Sequence, residues 1–192
     1  MNQKTFTAKI KALGKDVFAV RDVRMLFPEE SRFVNTNLKR LKEAGVITPV
    51  TRGLYRLFDT TFEIEKVATA VFYPSYISFE SALSKYGVIN QGLFELTIAT
   101  TRHSKRIRIG EVTCVYSQLK PKLFFGFNLL NGIYIAEPEK AFLDTLYLIS
   151  LGKKETSYEE WYTSGLDKNK VTKYSQPFGK KVTKLAMEIL LR

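Results

Sequence analysis

Cysteine and histidine are scarce in this sequence, and their scarcity excludes several kinds of site. The chain of 192 residues has one cysteine, Cys114, so neither an intramolecular disulfide framework nor a cysteine-rich zinc site can form. It has one histidine, His103, so a histidine-based metal cluster is also excluded. His103 lies in the basic segment TTRHSKRIR and is expected at the surface or beside a phosphate. Cys114 lies in the strand-like segment VTCVY and is expected to be a buried, inert thiol.

Long apolar runs and glycine-rich loops are absent as well. No segment approaches the roughly 18 uninterrupted apolar residues of a membrane-spanning helix. The first residues, MNQKTFTAKIKALG, lack the apolar core of a signal peptide. We therefore expect a cytoplasmic protein without a membrane partner. No glycine-rich phosphate loop, internal repeat or low-complexity linker is present, and we expect no cofactor and no bound metal.

Acidic residues are outnumbered by basic ones. The chain has 30 Lys+Arg and 19 Asp+Glu, which gives a net charge of +11. This excess favours a polyanionic partner, either nucleic acid or an anionic membrane face, and a basic solvated surface is the alternative. Residues 1–58 have a net charge of 12 − 5 = +7, whereas residues 59–192 have 18 − 14 = +4. The polyanion hypothesis therefore applies mainly to the first third of the chain.

The first 58 residues are predicted to form a domain of three helices and a hairpin. Apolar residues at helical spacing predict a first helix before Gly14, and DVFAV predicts a short strand after it. RDVRMLF predicts a second helix, which Pro28 ends. VITPV and GLYRLF predict two strands joined by a turn at Thr51-Arg52-Gly53, where the glycine supplies the positive φ of a tight hairpin.

A third helix, between the second helix and the hairpin, is predicted to be basic on its outer face. Ser31 is its expected N-cap, and the helix runs to about Ala44. The outer face carries arginine, lysine and amide side chains with one acid, Glu43, whereas a generic solvated helix mixes both signs. Phe33 falls toward the outer side of the helical wheel, but we expect it to pack under the second helix. The predicted buried residues are Val34, Leu38 and Leu41.

Helix, short strand, helix, turn, basic helix and hairpin, in this order, are typical of a winged helix-turn-helix. An α-helix fits the major groove of DNA, and a basic hairpin tip reaches neighbouring phosphates or the minor groove. Arginine and asparagine side chains recognise guanine and adenine. We therefore predict binding to double-stranded DNA, with a winged helix used for protein contacts as the alternative. The predicted DNA-binding residues are Arg32, Asn35, Thr36, Asn37, Lys39, Arg40, Lys42, Thr51, Arg52, Tyr55 and Arg56.

Residues 59–192 are predicted to form a second domain of α/β type, which makes the chain α+β overall. LFELTIAT, KRIRIGEVTCVYSQ and KPKLFFGFNLLNGIYIAE predict a small, mostly antiparallel sheet. AEPEKAFLDTLYLISLG predicts a helix, along which Lys140 and Asp144 are spaced for a salt bridge. A basic cluster on the predicted sheet is either a solvated strand face or an auxiliary nucleic-acid surface. Its members are Arg102, Lys105, Arg106 and Arg108.

Two segments invite an enzymatic interpretation, and neither has the full pattern. In SFESALSK, Ser81 and Lys85 are spaced for Ser-Lys catalysis, but the sequence shows neither a desolvated lysine nor an oxyanion hole. Ser78 in the same segment is expected to cap a helix. In AEPEKAFLD, the spacing from Glu137 to Lys140 differs from the Asp/Glu-x-Lys spacing of metal-dependent nucleases. We therefore expect that the protein is not an enzyme, and a nuclease is the alternative.

Two longer motifs, SYISFESALSKYGVI and AEPEKAFLD, lie on either side of the predicted sheet. Together with the winged helix before them, they make nearly the whole chain resemble the AbiEi antitoxins, the regulator components of abortive-infection type IV toxin–antitoxin systems. The resemblance implies DNA contacts in residues 32–42 and 51–56. The motif residues that match are Ser78, Glu80, Ser81, Glu139, Lys140 and Asp144, to which no catalytic role is assigned.

The resemblance also implies a biological role. It implies a bacterial repressor that binds repeats in the promoter of its own operon, as a monomer or weak dimer that binds cooperatively. It further implies that residues 59–192 counteract a nucleotidyltransferase toxin without a stable complex, and that the pair confers phage resistance. Domains of this kind also occur in solitary regulators, so a winged-helix regulator without a toxin is an alternative.

Overall fold

The chain divides into two compact units. The computed structural model describes residues 2–90, 92, 94–154, 158 and 160–191. The first unit comprises residues 1–67 with 108–111, and the second comprises residues 68–107 with 112–192. The first unit extends beyond residue 58, where the sequence places the domain boundary. Both units combine helices and sheets, so the fold class is α+β, as predicted.

The first unit contains helices and strands in the predicted order. Its three-stranded sheet has the order β1-β3-β2, and β3 pairs antiparallel with both neighbours. The short segment DVFAV therefore does form a strand with the later hairpin. The elements are α1 Gln3–Ala12, β1 Phe18–Ala19, α2 Val20–Leu26, α3 Val34–Glu43, β2 Ile47–Thr51 and β3 Leu54–Leu57, with a 3-10 helix at Pro28–Phe33.

An apolar core joins the helices α1 to α3 and the three strands. The Phe6 ring lies 5.9 Å from the ring of Phe18 and 5.9 Å from that of Phe27, so three aromatic side chains form its centre. The buried stripe of α3 is the one that helical spacing predicts. The core residues are Phe6, Ile10, Phe18, Val23, Phe27, Val34, Leu38, Leu41, Ile47 and Leu57.

The predicted N-cap of the third helix is wrong. Ser31 lies inside the 3-10 helix Pro28–Phe33, and Phe33 occupies the cap position of α3. Proline favours the first turn of a helix, so the chain becomes helical before Ser31. An N-cap residue needs an extended backbone, which Ser31 therefore does not have.

The start of α2 is held by a buried carboxylate. Oδ2 of Asp22 accepts the backbone N–H of Ala19 at 2.7 Å, and Oδ1 accepts Nζ of Lys15 at 3.1 Å. Burial of the carboxyl raises its pKa, but these two donors outweigh burial. The pKa of Asp22 consequently lies below its ordinary value of 3.8.

We expect that Asp22→Asn removes an acid-sensitive part of the stability. A pKa lowered in the folded state contributes stability above the unfolded-state value, and this contribution is lost as the pH falls through the folded-state value. The variant should lose about 1 kcal/mol at neutral pH and show a weaker loss on acidification below about pH 4. Urea unfolding followed by circular dichroism at both pH values measures this, with the exposed Asp16→Asn as the control. An acid sensitivity equal to that of the wild type would contradict the assignment.

The second unit is built on a six-stranded sheet in the order β6-β7-β5-β4-β9-β8. Short 3-10 helices lie at Pro121–Leu123, Thr163–Gly165 and Gln176–Phe178. α4 runs across the boundary between the two units. The elements are α4 Ile64–Val71, β4 Ser75–Ile77, α5 Phe79–Lys85, β5 Glu95–Thr100, β6 Lys105–Ile109, β7 Val112–Gln118, β8 Phe127–Leu130, β9 Ile133–Ala136, α6 Pro138–Ser150, α7 Lys168–Ser175 and α8 Lys180–Leu190.

The sheet is mixed, so the prediction of a mostly antiparallel sheet is wrong. β4 pairs antiparallel with β5, and β8 pairs antiparallel with β9. β5 pairs parallel with β7, however, and β4 pairs parallel with β9. Parallel neighbours need a crossover connection, so they are distant in sequence and give no local turn signal.

Helix α6 is the centre of the second unit. Every residue from Glu139 to Leu148 is buried, including two carboxylates and a lysine. A helix that is buried all round is normally apolar, so its charged residues need partners. Over the described ranges, no helix is both long enough and apolar enough to cross a membrane.

Candidate nucleic-acid interface

The outer side of α3 carries exposed basic and amide side chains. The apolar stripe Val34, Leu38 and Leu41 anchors the helix to the core, which turns the opposite side to solvent. The short 3-10 helix before α3 adds one arginine to the same end of the helix. The exposed predicted DNA-binding residues here are Arg32, Asn35, Thr36, Lys39, Arg40 and Lys42.

Asn37 is placed differently from its prediction. Its side chain is buried, and Nδ2 donates to Oε2 of Glu30 at 2.8 Å. Asn37 therefore holds α3 to the preceding 3-10 helix and does not belong to the exposed face. Its partner lies seven residues earlier, beyond the reach of helical spacing rules, so the sequence gives no indication of the contact.

Asn37 is buried although it is predicted to be exposed, and for Phe33 the reverse holds. We expect it from the sequence to be packed, but 64% of its surface is exposed. The helical wheel places Phe33 on the outer side, so the error lies in the expectation that it packs under the second helix; no residue of the 3-10 helix Pro28–Phe33 is buried. An aromatic side chain therefore lies exposed at the start of the basic helix, between Arg32 and Asn35.

The hairpin of β2 and β3 presents one arginine at its tip. Gly53 has φ +77°, which closes the turn, and Arg52 beside it is exposed. Thr51 at the end of β2 is half-buried. Because the Arg52 side chain is exposed, its charge is accessible to solvent.

The other two predicted hairpin residues mainly support the fold. The Tyr55 ring stacks on Phe18, with centroids 6.2 Å apart. Nη1 of Arg56 donates to the carbonyl of Leu57 at 3.2 Å, to that of Phe58 at 3.0 Å and to that of Thr60. Arg56 thus fixes the chain that leaves β3, and Arg52 is the better candidate for a contact with DNA.

The predicted auxiliary cluster is only partly available for a ligand. The Arg102 guanidinium carbon lies 4.2 Å from the Phe72 ring centroid, and Lys105 Nζ lies 5.7 Å from it. His103 is exposed, as predicted, with its ring edge-on to the same phenylalanine at 5.5 Å. The Arg102 and Lys105 cations thus lie over an aromatic ring, and both residues remain exposed.

The remaining two arginines of the cluster are paired with acids. Arg106 forms an ion pair with Glu95, and Nη2 of Arg108 lies 2.5 Å from Oε2 of Glu111. These pairs are exposed, and each acid cancels one positive charge. The exposed face of α3 and the hairpin tip therefore carry more positive charge without an acidic partner than this cluster does.

Four side chains from the two family-like motifs and β4 form a buried hydrogen-bonded network. Oδ2 of Asp144 accepts the hydroxyls of Tyr76 and Ser78, each at 2.9 Å, and Oδ1 pairs with Lys140. Nζ of Lys140 also donates to the Tyr76 hydroxyl at 2.9 Å. All four side chains are buried, so they cannot contact a nucleic acid in the folded state. The predicted salt bridge between Lys140 and Asp144 is confirmed.

Burial sets the ionisation of this network. It lowers the pKa of Lys140 and raises the pKa of Asp144, although the attraction between the two opposes both shifts. Burial, and then the charge of Asp144, raises the pKa of Tyr76 well above its ordinary value. The sequence did not single out Tyr76, because it lies 68 residues from Asp144 and no local pattern connects them.

The other matching motif residues also have structural partners. Ser78 occupies the N-cap position of α5 but donates to Asp144, so the prediction that its side chain caps the helix is wrong. Oγ of Ser81 accepts the N–H of Thr97 at 2.8 Å. Glu80 pairs with Lys154. The Ser81 hydroxyl is therefore bonded to the backbone of β5.

Glu139, at the start of α6, has two partners at the N-terminal end of α7. Oε1 of Glu139 accepts the N–H of Asp167 at 3.2 Å, and Oε2 lies 3.3 Å from Nζ of Lys170. Asp167 in turn caps α7 by accepting the N–H groups of Asn169 and Lys170. The described residues contain no group of three or more histidine, cysteine, aspartate or glutamate side chains placed to hold a metal ion.

No protein-family model matches the chain, and no curated protein matches it.

Proposed function

We propose that the first unit is a winged helix-turn-helix that binds double-stranded DNA. In this proposal α3 lies in the major groove and the β2–β3 hairpin is the wing. The observation that carries it is the division of α3 into a buried apolar stripe and an exposed basic face. An exposed face of this kind matches the negative phosphates and the base edges of DNA.

The charges on α3 are mostly available to a ligand. Lys39 lies 3.9 Å from Glu43, but both side chains are exposed and such a pair is weak. Arg40 and Asn35 belong to the residue types that recognise guanine and adenine. Phe33, exposed just before α3, has the apolar surface that contacts thymine methyl groups.

The proposed biological role rests on the resemblance to AbiEi antitoxins. We infer a cytoplasmic repressor that binds repeats in its own promoter and has no enzymatic activity, cofactor or membrane partner. The second unit would counteract a nucleotidyltransferase toxin without a stable complex, as part of phage defence. The burial of Lys140 and Asp144 supports a structural task for these motif residues.

Arg40→Ala and Arg52→Ala are expected to weaken DNA binding for different reasons. A base contact by Arg40 contributes about 1–3 kcal/mol for the preferred sequence, so its loss should lower selectivity. A phosphate contact by Arg52 contributes about 0.9 to the slope of log K against log salt, so its loss should reduce that slope by about 1. Fluorescence anisotropy measures both, with a duplex from upstream of the protein's own gene and a duplex of random sequence.

Lys184→Ala is the matched control, because it removes one exposed positive charge from α8 in the second unit. It should leave affinity and salt dependence nearly unchanged. The proposal fails if the wild type binds neither duplex. It also fails if both arginine variants bind like the wild type, because DNA would then contact another surface.

A further inference from the structure

The strand β8 is an edge of the six-stranded sheet and carries exposed apolar side chains. Leu129 is 57% exposed, Leu130 is 52% exposed, and Tyr134 on the neighbouring strand is 36% exposed. The two strands are joined by Asn131 and Gly132, with φ +52° and +80°. Leu129 and Tyr134 are register partners on one face, and Leu130 lies on the other. Both faces of the hairpin end are therefore apolar and exposed.

The two edges of the same sheet differ in their charge. The opposite edge, β6, carries Lys105 and Arg106, and charged side chains on an edge strand oppose pairing with another strand. No aspartate, glutamate, lysine or arginine lies between Lys122 and Glu137, a stretch that includes β8 and β9. Proline, which also prevents an edge strand from pairing with another strand, is absent from β8. The four-residue β8 edge thus has neither the charge nor the proline that opposes pairing.

The backbone of β8 has groups available for pairing. In a hairpin with a two-residue turn, the residues that flank the turn exchange hydrogen bonds with each other. Leu130 and Asn128 therefore direct their N–H and C=O groups to β9, and Leu129 directs its own to the free edge. Within the described ranges, no strand pairs with this side of β8.

We propose that β8 pairs antiparallel with β8 of a second copy of the chain, so that the two six-stranded sheets become continuous. Antiparallel pairing of identical edges has a two-fold axis and closes as a dimer. Each chain carries a net charge of +11, so a contact between two copies is least opposed where the surface carries no charge. The uncharged β8–β9 hairpin meets this condition, whereas an acidic partner would favour the basic β6 edge. This inference does not depend on DNA binding.

The pairing has a specific register. Opposite residues in an antiparallel pair lie on the same face of the sheet. Two residues that face each other across the two-fold axis must therefore be an even number of positions apart in the sequence, or be the same residue. A register centred on Leu129 places it opposite its own copy and places Asn128 opposite Leu130 of the other copy. The outward backbone groups of both Leu129 residues then pair, with Cα atoms about 5.5 Å apart.

The first test is the mass of the full chain in sedimentation equilibrium over a range of concentrations. The wild type should change with concentration between the monomer mass of 22.0 kDa and twice that value. Leu129→Lys should remain a monomer throughout, and its exposed position means that it should fold as the wild type does. Leu191→Lys adds the same charge at a leucine that is 80% exposed elsewhere, and should dimerise normally. A wild type that is monomeric at every concentration would overturn the proposal.

The second test is disulfide cross-linking of Leu129→Cys. A Cα separation of about 5.5 Å suits a disulfide, so mild oxidation should give a covalent dimer. The natural Cys114 is buried and should not interfere. Leu191→Cys is the control for random collision. If the two variants cross-link at equal rates, the register is wrong. If Leu129→Lys and the wild type dimerise equally, β8 is not the interface.

Discussion

Asp144→Ala is expected to lower the free energy of unfolding by about 3–5 kcal/mol. The substitution leaves the ammonium of Lys140 buried without its counter-ion, and it removes the acceptor of the Tyr76 and Ser78 hydroxyls. A buried charge or polar group without a partner is costly because the protein interior cannot solvate it. Such a loss is a large fraction of the total stability of most domains, which is about 5–15 kcal/mol.

The single tryptophan, Trp161, can report this unfolding. Its ring centroid lies 5.8 Å from that of Phe142, and Phe142 is on α6, the helix that also carries Asp144. Urea unfolding followed by tryptophan fluorescence gives the free energy for wild type and variant. The expected loss is visible as a lower midpoint with an unchanged slope.

An exposed pair on another helix provides the matched control. Lys184 and Glu188 have the same i, i+4 spacing on α8, with nitrogen and oxygen 3.8 Å apart, but they are exposed. Glu188→Ala should therefore have little effect. The double variant Lys140→Met/Asp144→Leu should recover part of the loss, because it removes the unpaired charge. If Asp144→Ala were as stable as Glu188→Ala, the network would not stabilise the fold.

Phe6→Ala is expected to destabilise the first unit by about 3–5 kcal/mol. Phe6 is fully buried and lies between the rings of Phe18 and Phe27, each 5.9 Å away. Removing the ring loses its transfer free energy and leaves a cavity, since neighbouring aromatic rings cannot fully close the space. Circular dichroism during urea unfolding measures the loss.

Phe33→Ala is the matched control, because it deletes the same ring at an exposed position. The structure predicts a small change in stability, whereas the sequence-based expectation of a packed Phe33 predicts a large one. Phe6→Leu keeps most of the apolar volume and should lose less than Phe6→Ala. Equal losses for Phe6→Ala and Phe33→Ala would show that the placement of one of these rings is wrong.

Local patterns explain why the first unit could be predicted well. The stripe Val34, Leu38 and Leu41 repeats at helical spacing, and Gly53 marks the turn of the hairpin. These signals depend on residues a few positions apart. The errors occur where a distant or irregular contact decides the outcome. The buried Asn37 donates to Glu30, and Phe33 lies exposed at the end of the 3-10 helix.

The second unit depends more on distant contacts, and the sequence is correspondingly less informative. β4 pairs with β9 through Ile77 and Ile135, and no periodicity connects two strands so far apart. The i, i+4 spacing along α6 predicts the pair of Lys140 and Asp144. The sequence does not predict their burial or their hydroxyl partners, because the wheel of one helix does not show what packs on its polar side.

The distance between β4 and β9 also has a consequence for synthesis on the ribosome. β4 has no parallel neighbour until Ile135, 135 − 77 = 58 residues after Ile77, has been translated. At about 5–20 residues per second, a nascent chain therefore carries β4 with one open edge for roughly 3–12 seconds, because β5 can pair only with its other edge. The core of the first unit lies entirely within residues 6–57 and is complete before β4 is made. The order of translation thus separates a segment that can fold early from one that must wait.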